Sequence, residues 1–153
     1  MLVRQMLPLI LTFANRGNPV EGRTRFQKMI FLLKQRADFF EESYDFIPHN
    51  YGPYSTELQK DIDDLIREGF LIMNLKTVEE GKIKYEYAIT GGGSTILEKI
   101  LSDKDLDKKF KFSKVLELAE EIKYEVNSKD LTSLLADIYS EYPDFARYSK
   151  YEF

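Results

Sequence analysis

The feature that most constrains the fold is a pair of alternating runs placed directly after an amphipathic helix pattern. Apolar residues recur at every second position over residues 71–76 and again over residues 83–89. A period of two is typical of β-strands that bury one face. The turn residues Glu79-Glu80-Gly81 lie between the two runs. The sequence therefore predicts a β-hairpin that closely follows a helix.

Helical periodicity predicts helices on both sides of this hairpin. Those before it cover about residues 3–15, 24–36 and 55–68, and those after it cover about residues 95–101, 113–126 and 131–141. Capping-box patterns at Thr24-x-x-Gln27 and Thr95-x-x-Glu98 predict where two of the helices begin. Residues 37–53 show no clear periodicity.

Three helices, a hairpin and a further helix are the order of a winged helix-turn-helix. We therefore predict a mainly α fold with a small β-hairpin, organised as a winged helix-turn-helix with a C-terminal helical extension. The winged-helix part covers residues 1–102, and the helices of residues 103–153 pack on it to give one structural domain. In many such proteins the third helix enters the DNA major groove and the hairpin makes a second contact.

The composition excludes several kinds of chemistry. With 153 residues, of which 43% are hydrophobic and none is Cys, the chain supports a core but no disulfide, zinc–thiolate site or thiol nucleophile. The single histidine, His49, has no second histidine with which to form a metal site. We predict no catalytic residue, no metal and no cofactor, and therefore no enzyme.

The composition also predicts where the chain works. The absence of Cys favours a reducing, cytoplasmic compartment. The apolar run of residues 6–14 is far shorter than the roughly 20 residues that a bilayer span needs, and it lacks the small-residue cleavage site of a signal peptide. We interpret it as a buried helix and expect no membrane association.

Positive charge is concentrated at the N-terminal end. Residues 1–36 carry a net charge of +6, whereas residues 37–153 carry −10. Arg23, Arg25 and Lys28 open the second helix, where free N–H groups and the helix dipole also favour anions. The candidate DNA contacts are Arg23, Arg25, Lys28, Thr56, Lys60, Arg67, Lys82 and Lys84.

The third helix has both a DNA-contacting and a structural interpretation. Over residues 54–70 its net charge is −3, which disfavours close approach to phosphates. Its outward side nevertheless carries Lys60 and Arg67, which are able to contact guanine or phosphate. The alternative is a solvated surface on which Lys60 pairs with Asp64 and Arg67 pairs with Asp63.

The other candidate groups also have structural alternatives. Lys82 and Lys84 lie beside glutamates, so the hairpin is neutral overall and supports DNA contact only weakly. Arg23 and Arg25 are equally able to form ion pairs within the chain, for which the candidates are Glu41, Glu42 and Asp45.

Three further motifs favour structural roles. Gly91-Gly92-Gly93-Ser94 precedes a helix but lacks the Lys-Ser/Thr of a phosphate loop, so a helix-starting turn is favoured. Glu80-x-Lys82 is like the end of a restriction-type nuclease motif, but the required earlier Asp on a neighbouring strand is not evident, and a nuclease is disfavoured. His49 is interpreted as a loop or capping residue, with a pH-sensitive contact as the alternative.

Three short runs resemble a known family. The second helix contains Arg25-Phe26-Gln27-Lys28-Met29-Ile30-Phe31-Leu32-Leu33, which resembles the Leu-Gln-Lys helix of the Panacea-domain family, with Phe26 where Leu is expected. Tyr51-Gly52-Pro53-Tyr54-Ser55 resembles the second landmark of that family, and residues 138–144 resemble a third. Those proteins are SocA-like and often antitoxin-associated, and YwgA-like proteins share these features. The resemblance implies a small cytoplasmic regulator or an antitoxin-like protein, with no settled catalytic residue.

Together these features predict a non-enzymatic winged-helix regulator that binds duplex DNA and controls transcription. Since one such domain reads few bases, a homodimer is expected. The alternative is an antitoxin- or adaptor-like module that binds a protein partner, such as a toxin, without strong DNA affinity. The net charge of −4 favours that alternative. Core packing or a partner surface would account for the C-terminal aromatics Tyr139, Tyr142, Phe145, Tyr148, Tyr151 and Phe153.

Overall fold

The computed structural model describes residues 1–77 and 79–150, so Tyr151 and Phe153 lie outside the described residues. The helices are α1 (Met6–Gly17), α2 (Arg23–Arg36), α3 (Thr56–Arg67), α4 (Gly91–Ser102), α5 (Lys104–Phe110), α6 (Phe112–Val126) and α7 (Leu131–Glu141). Short 3₁₀ turns cover Val3–Gln5, Glu79–Gly81 and Pro143–Ala146. The six predicted helices are confirmed, and α5 is an additional short helix capped by Asp103.

Two small antiparallel sheets accompany the helices. β4 (Leu71–Thr77) and β5 (Ile83–Ile89) form the predicted hairpin, and β1 (Val20–Glu21) pairs with the other edge of β5. β2 (Ile47–His49) and β3 (Gly52–Tyr54) form a second hairpin. The sequence did not predict this hairpin because three-residue strands are too short to show a period and each contains a proline. The chain is therefore mainly helical with small antiparallel sheets.

α1 and α2 form the centre of the fold. Every residue of α2 from 26 to 33 is buried, and α1 buries an almost continuous apolar run against α6 and β5. Burying one large aliphatic or aromatic side chain is worth about 1.5–3 kcal/mol. Other parts of the chain therefore surround α2 over residues 26–33, and this packing fixes the position of the first turn of α2.

α2 begins without the predicted capping box. Its first residue is Arg23, and Gly22 before it has a φ of 89°, a conformation that glycine adopts without strain. No side chain caps the first turn. Gln27 is buried and bonds to another part of the chain. The capping role predicted for Thr24 and Gln27 is therefore wrong.

The glycine run before α4 is the first turn of that helix. α4 begins at Gly91 because Thr90 caps it, its Oγ1 accepting from the backbone N–H of Gly93 at 3.0 Å. A Cβ on Gly93 would lie 2.3 Å from the carbonyl oxygen of Phe70, so close packing requires glycine there. The predicted start at Thr95 is wrong by four residues, and the interpretation of the run as a helix start is confirmed.

The described C-terminal aromatics mainly complete the core. Phe31 of α2 makes edge-to-face contacts with Phe46, Tyr142 and Phe145, with ring centroids 5.4, 5.1 and 4.8 Å apart. Tyr148 differs because it is 60% exposed. Internal packing therefore accounts for the position of Tyr142 and Phe145 against α2.

Candidate nucleic-acid interface

Arg23, the first residue of α2, lies against the β4–β5 hairpin. Its Nε donates to the Tyr87 hydroxyl at 3.2 Å, and its guanidinium carbon lies 4.6 Å from the centre of the Tyr85 ring. The hydrogen bond to Tyr87 raises the pKa of Arg23. The two tyrosines of β5 thus hold the guanidinium in place, while the residue as a whole stays exposed. Arg23 is a positioned cation on the surface.

Arg23 also joins the surfaces of α3 and the hairpin. It borders one cavity together with Gln59 of α3 and a second cavity together with Lys84 of β5. Asp63 of α3 is close enough to act on Arg23 electrostatically. The start of α2, the outward side of α3 and the hairpin therefore adjoin one another. We call the exposed residues Arg23, Thr56, Lys60, Arg67, Lys82 and Lys84 the cationic face. Its two hairpin lysines extend from the side of β5 opposite the tyrosines that hold Arg23.

The two cations of α3 are paired within that helix. Lys60 Nζ lies 3.5 Å from Asp64, and Arg67 donates to the same carboxylate at 2.8 Å. The predicted Lys60–Asp64 pair is confirmed, but Arg67 pairs with Asp64 and not with Asp63, which accepts from Gln59 at 3.2 Å. Both cationic side chains are 74% exposed. Such exposed pairs contribute little to stability and are screened by salt.

Two acidic residues of α3 are engaged away from the cationic face. Asp61 is buried and accepts from Arg4 Nε and from the Tyr44 hydroxyl, both at 2.8 Å. Glu57 accepts from Arg4 at 2.7 Å. The hydrogen bond to Asp61 raises the pKa of Arg4, and burial raises the pKa of Tyr44. The ion pairs with Arg4 therefore neutralise part of the negative charge of α3 on the side away from the cationic face.

Arg25 and Lys28 do not join the exposed cations. Arg25 donates to two carbonyl oxygens of the α6–α7 turn at 2.9 and 2.5 Å. Lys28 is only 2% exposed, and its Nζ donates to the Pro53 carbonyl oxygen at 2.6 Å. The predicted surface patch is therefore corrected: Arg23 is the exposed member of the three. Within residues 1–77 and 79–150, Arg23 and Arg25 form no ion pair with the predicted partners Glu41, Glu42 and Asp45.

The first two motifs that resemble a known family meet in space. The buried amide of Gln27 donates to the Ser55 carbonyl oxygen and accepts from the Ser55 N–H, both at 2.9 Å. The bond from Lys28 to Pro53 lies beside them. Ser55 Oγ also caps α3 by accepting an N–H of its first turn at 3.1 Å. These contacts hold the start of α3 against α2. We did not predict them from the sequence, although Gln27 and Lys28, two polar residues inside the apolar run 26–33, were a signal of buried polar contacts.

The hairpin presents both charged and apolar side chains. Lys82 and Lys84 are exposed, and neither forms an ion pair with any residue that the structure describes. Lys76 differs, because it lies 2.5 Å from the Glu86 carboxylate. Leu75 is 62% exposed. The hairpin therefore carries the unpaired Lys82 and Lys84 on one side and apolar side chains, Leu75 among them, on the other.

The remaining sequence motifs form no metal-binding cluster within the residues that the structure describes. Among residues 1–77 and 79–150, no three His, Asp or Glu side chains are grouped to hold a metal. No helix in those ranges is both long and apolar enough to cross a bilayer. His49 of β2 lies beside Tyr54, with ring centroids 5.0 Å apart, and borders the same cavity as Arg23 and Gln59.

Part of the chain is similar to a known bacterial protein. Over 97 residues it is 37% identical to the uncharacterised protein YwgA of Bacillus subtilis (strain 168). The match covers 63% of this chain and 56% of that protein, so the chain spans about half the length of this relative. No protein family model matches the chain. The predicted similarity to YwgA is therefore confirmed, whereas membership of the Panacea-domain family stays a prediction.

Proposed function

We propose that this chain is a winged helix-turn-helix transcriptional regulator that binds duplex DNA through the cationic face. The observation that carries the proposal is the position of Arg23, which adjoins both the outward side of α3 and the hairpin. In this class of protein a helix enters the major groove and neighbouring elements contact the phosphates. Here α3 would enter the groove, and Arg23 with Lys82 and Lys84 would contact the backbone.

The order of strands supports the winged-helix part of the proposal. β1 follows α1 and pairs with β5, and the β4–β5 hairpin follows α3. The sheet order β1-β5-β4, with the hairpin next to the short strand β1, is the order expected of a wing and supports the proposal. One departure is the connection between α2 and α3, which contains the β2–β3 hairpin instead of a turn of three or four residues. A homodimer would let two copies of α3 read two half-sites.

The electrostatics of α3 predict binding of a particular kind. DNA phosphates would compete with Asp64 for Lys60 and Arg67, whose exposed ion pairs are worth about 0–1 kcal/mol. Phosphate contacts release counterions, so their contribution falls steeply as salt rises. The proposal therefore expects duplex binding that is measurable at low salt and much weaker at physiological salt.

The test is the triple variant Arg23→Gln, Lys60→Gln, Lys84→Gln. Removing three phosphate contacts should weaken binding to every duplex sequence and flatten the slope of log affinity against log salt by up to about three. A matched control, Lys99→Gln, Lys104→Gln, Lys108→Gln, removes the same charge from exposed positions of α4 and α5. Equal affinity and slope in the two triple variants would remove the cationic face from the proposal.

A protein-binding module is the second candidate, and the hairpin favours it. Leu75 and Ile83 are 62% and 60% exposed and lie on the same side of the hairpin as Tyr85. A cavity of about 400 Å³ borders Ile83 and Tyr85 and reaches Leu131 of α7. Apolar side chains of this kind suit an antitoxin- or adaptor-like role, in line with the resemblance to Panacea-domain proteins. Absence of duplex binding at about 50 mM salt would favour this candidate.

A further inference from the structure

A small cavity lies where α2, α3 and the β2–β3 hairpin meet. Its volume is about 170 Å³. The described residues that line it include no Asp or Glu, although the chain as a whole has a net charge of −4. The side chains that bring hydrogen-bond donors to its walls are those of Arg23, Thr24, Lys28, His49, Tyr54 and Gln59.

Lys28 is the buried cation of this cavity. An ammonium group has three N–H donors, and the Pro53 carbonyl oxygen takes one of them at 2.6 Å. No second acceptor for Lys28 Nζ occurs within residues 1–77 and 79–150. Burial lowers the pKa of Lys28 to about 7. A buried ammonium with unused donors is costly unless an acceptor reaches them.

The wall formed by α2 and α3 adds a second cation and neutral donors. The Arg23 guanidinium uses Nε on Tyr87, which leaves its terminal N–H groups for other acceptors. The Gln59 amide donates to Asp63 at 3.2 Å. The Asp63 carboxylate lies outside the lining of the cavity.

We propose that this cavity binds a phosphate group through Lys28 and Arg23. Phosphate oxygens are strong acceptors that match several converging donors. Cavities for drug-sized ligands measure roughly 300–1,000 Å³, so the space suits one phosphate group and not a whole nucleotide. The phosphate belongs either to a small phosphorylated molecule or to a nucleic-acid backbone. The proposal does not depend on duplex binding, because the phosphate group is recognised in the same way in both cases.

The single histidine provides a direct readout. His49 is the one histidine of the chain and borders the cavity, so its imidazole signals in a ¹H–¹³C NMR spectrum need no assignment by mutation. Inorganic phosphate is titrated into the full chain at constant pH, with sodium chloride of equal ionic strength as the control. We expect a saturable shift of the His49 signals with phosphate and none with chloride. Equal shifts in the two titrations would overturn the proposal.

Two variants separate the cavity from general charge effects. Lys28→Met should weaken phosphate binding about ten- to a hundredfold, as expected for the loss of a charge-assisted hydrogen bond. If Lys28→Met does not fold, Gln59→Glu gives the same test, because it places a carboxylate on the cavity wall without touching the core. Gln35→Glu makes the same charge change at an exposed position near the end of α2 and should leave binding unchanged. Equal phosphate binding in Gln59→Glu and Gln35→Glu would overturn the proposal.

A competition experiment identifies the source of the phosphate. Saturating phosphate is added to the protein in the presence of a fluorescent duplex, and sodium chloride of equal ionic strength is added in the control. Displacement of the duplex, with the His49 shift, would place a backbone phosphate in the cavity. A His49 shift with no change in duplex binding, or with no duplex binding at all, would assign the cavity to a small phosphorylated molecule. Because the His49 shift is measured without DNA, failure of this proposal and failure of the DNA-binding proposal give different results.

Discussion

Lys28 and Lys123 are both almost fully buried, at 2% and 1% exposed, but their ammonium groups have different surroundings. Lys123 of α6 donates to the carbonyl oxygens of Thr12 and Ala14 at 3.1 and 2.7 Å. Lys28 donates to one carbonyl oxygen and borders a cavity. Backbone acceptors therefore account for the buried ammonium of Lys123 more completely than for that of Lys28.

The position of Lys123 follows from the end of α1. Ala14 has extended backbone angles, and Asn15 and Arg16 have positive φ, so the regular helix stops before the Gly17 boundary. The last carbonyl groups of a helix have no partner within the helix. A cation at that end supplies donors and also interacts favourably with the helix dipole. Lys123 therefore replaces the missing partners of α1.

No comparable backbone requirement surrounds Lys28. Pro53 lies in a short strand, and the neighbouring Gln27–Ser55 bonds already hold the start of α3 on α2. A buried cation whose donors are matched by backbone acceptors serves the fold, whereas one with unused donors at a cavity is a candidate for ligand binding. The following predictions test this contrast.

The largest effect is expected for Lys123→Met. Two buried carbonyl oxygens would lose their donors, and the free energy of unfolding should fall by about 2–4 kcal/mol. Urea denaturation measures this change. Binding of phosphate and of duplex DNA should stay unchanged in the folded variant. A loss of ligand binding at unchanged stability would reverse the roles assigned to the two lysines.

The pH dependence of stability should distinguish Lys28 from an ordinary lysine. Its pKa of about 7 in the folded state lies below the ordinary 10.5, so between these values the unfolded chain binds more protons than the folded one. Stability contributed by this group therefore rises with pH, by about 1.4 kcal/mol per pH unit for one full proton. From pH 7 to 9 the wild type should gain about 2 kcal/mol relative to Lys28→Met. Parallel urea titrations with equal gains would contradict this.

At pH 7 the cost of Lys28→Met should be smaller than that of Lys123→Met. One carbonyl oxygen loses its donor, against two in Lys123→Met. Burial lowers the pKa of Lys28 to about 7 and that of Lys123 to about 8, so removing a buried charge offsets part of the loss in both variants. A decrease of about 1 kcal/mol is expected for Lys28→Met. The same urea experiments give both values. A cost equal to that of Lys123→Met would make Lys28 a structural anchor of the Pro53 segment.

The smallest effect on stability is expected at the cationic face itself. Lys60→Gln and Arg67→Gln each break one exposed ion pair with Asp64 and should change the free energy of unfolding by less than about 0.5 kcal/mol. Thermal denaturation is sufficient to show this. A larger loss would mean that these cations stabilise α3 and are not available to a ligand.

The sequence predicted the elements of the fold better than the contacts between them. The alternating pattern of residues 71–76 and 83–89 defined the hairpin, because a half-buried strand leaves a period of two in the sequence. The burial of Lys28 could not be predicted, because it depends on how the segment after α2 folds back over that helix. Arg25 is similar, since its carbonyl partners lie 101 and 104 residues away along the chain.

The candidate site was therefore predicted in part. Exposed members of α3 and the hairpin are where the helical and strand patterns placed them, because local periodicity determines which side of an element faces outward. The environment of Arg23 depends on two tyrosines of β5, and the cavity depends on the unpredicted β2–β3 hairpin. Both arise from tertiary contacts that no local pattern contains.

The most direct test of the proposed function is the fluorescence anisotropy of a labelled random-sequence duplex, titrated with the wild-type protein at about 50 and about 200 mM salt. If the cationic face makes about four phosphate contacts, binding should be micromolar at the lower salt and weaken about a hundredfold at the higher. No binding at the lower salt, or an affinity that salt does not change, would contradict the DNA-binding proposal.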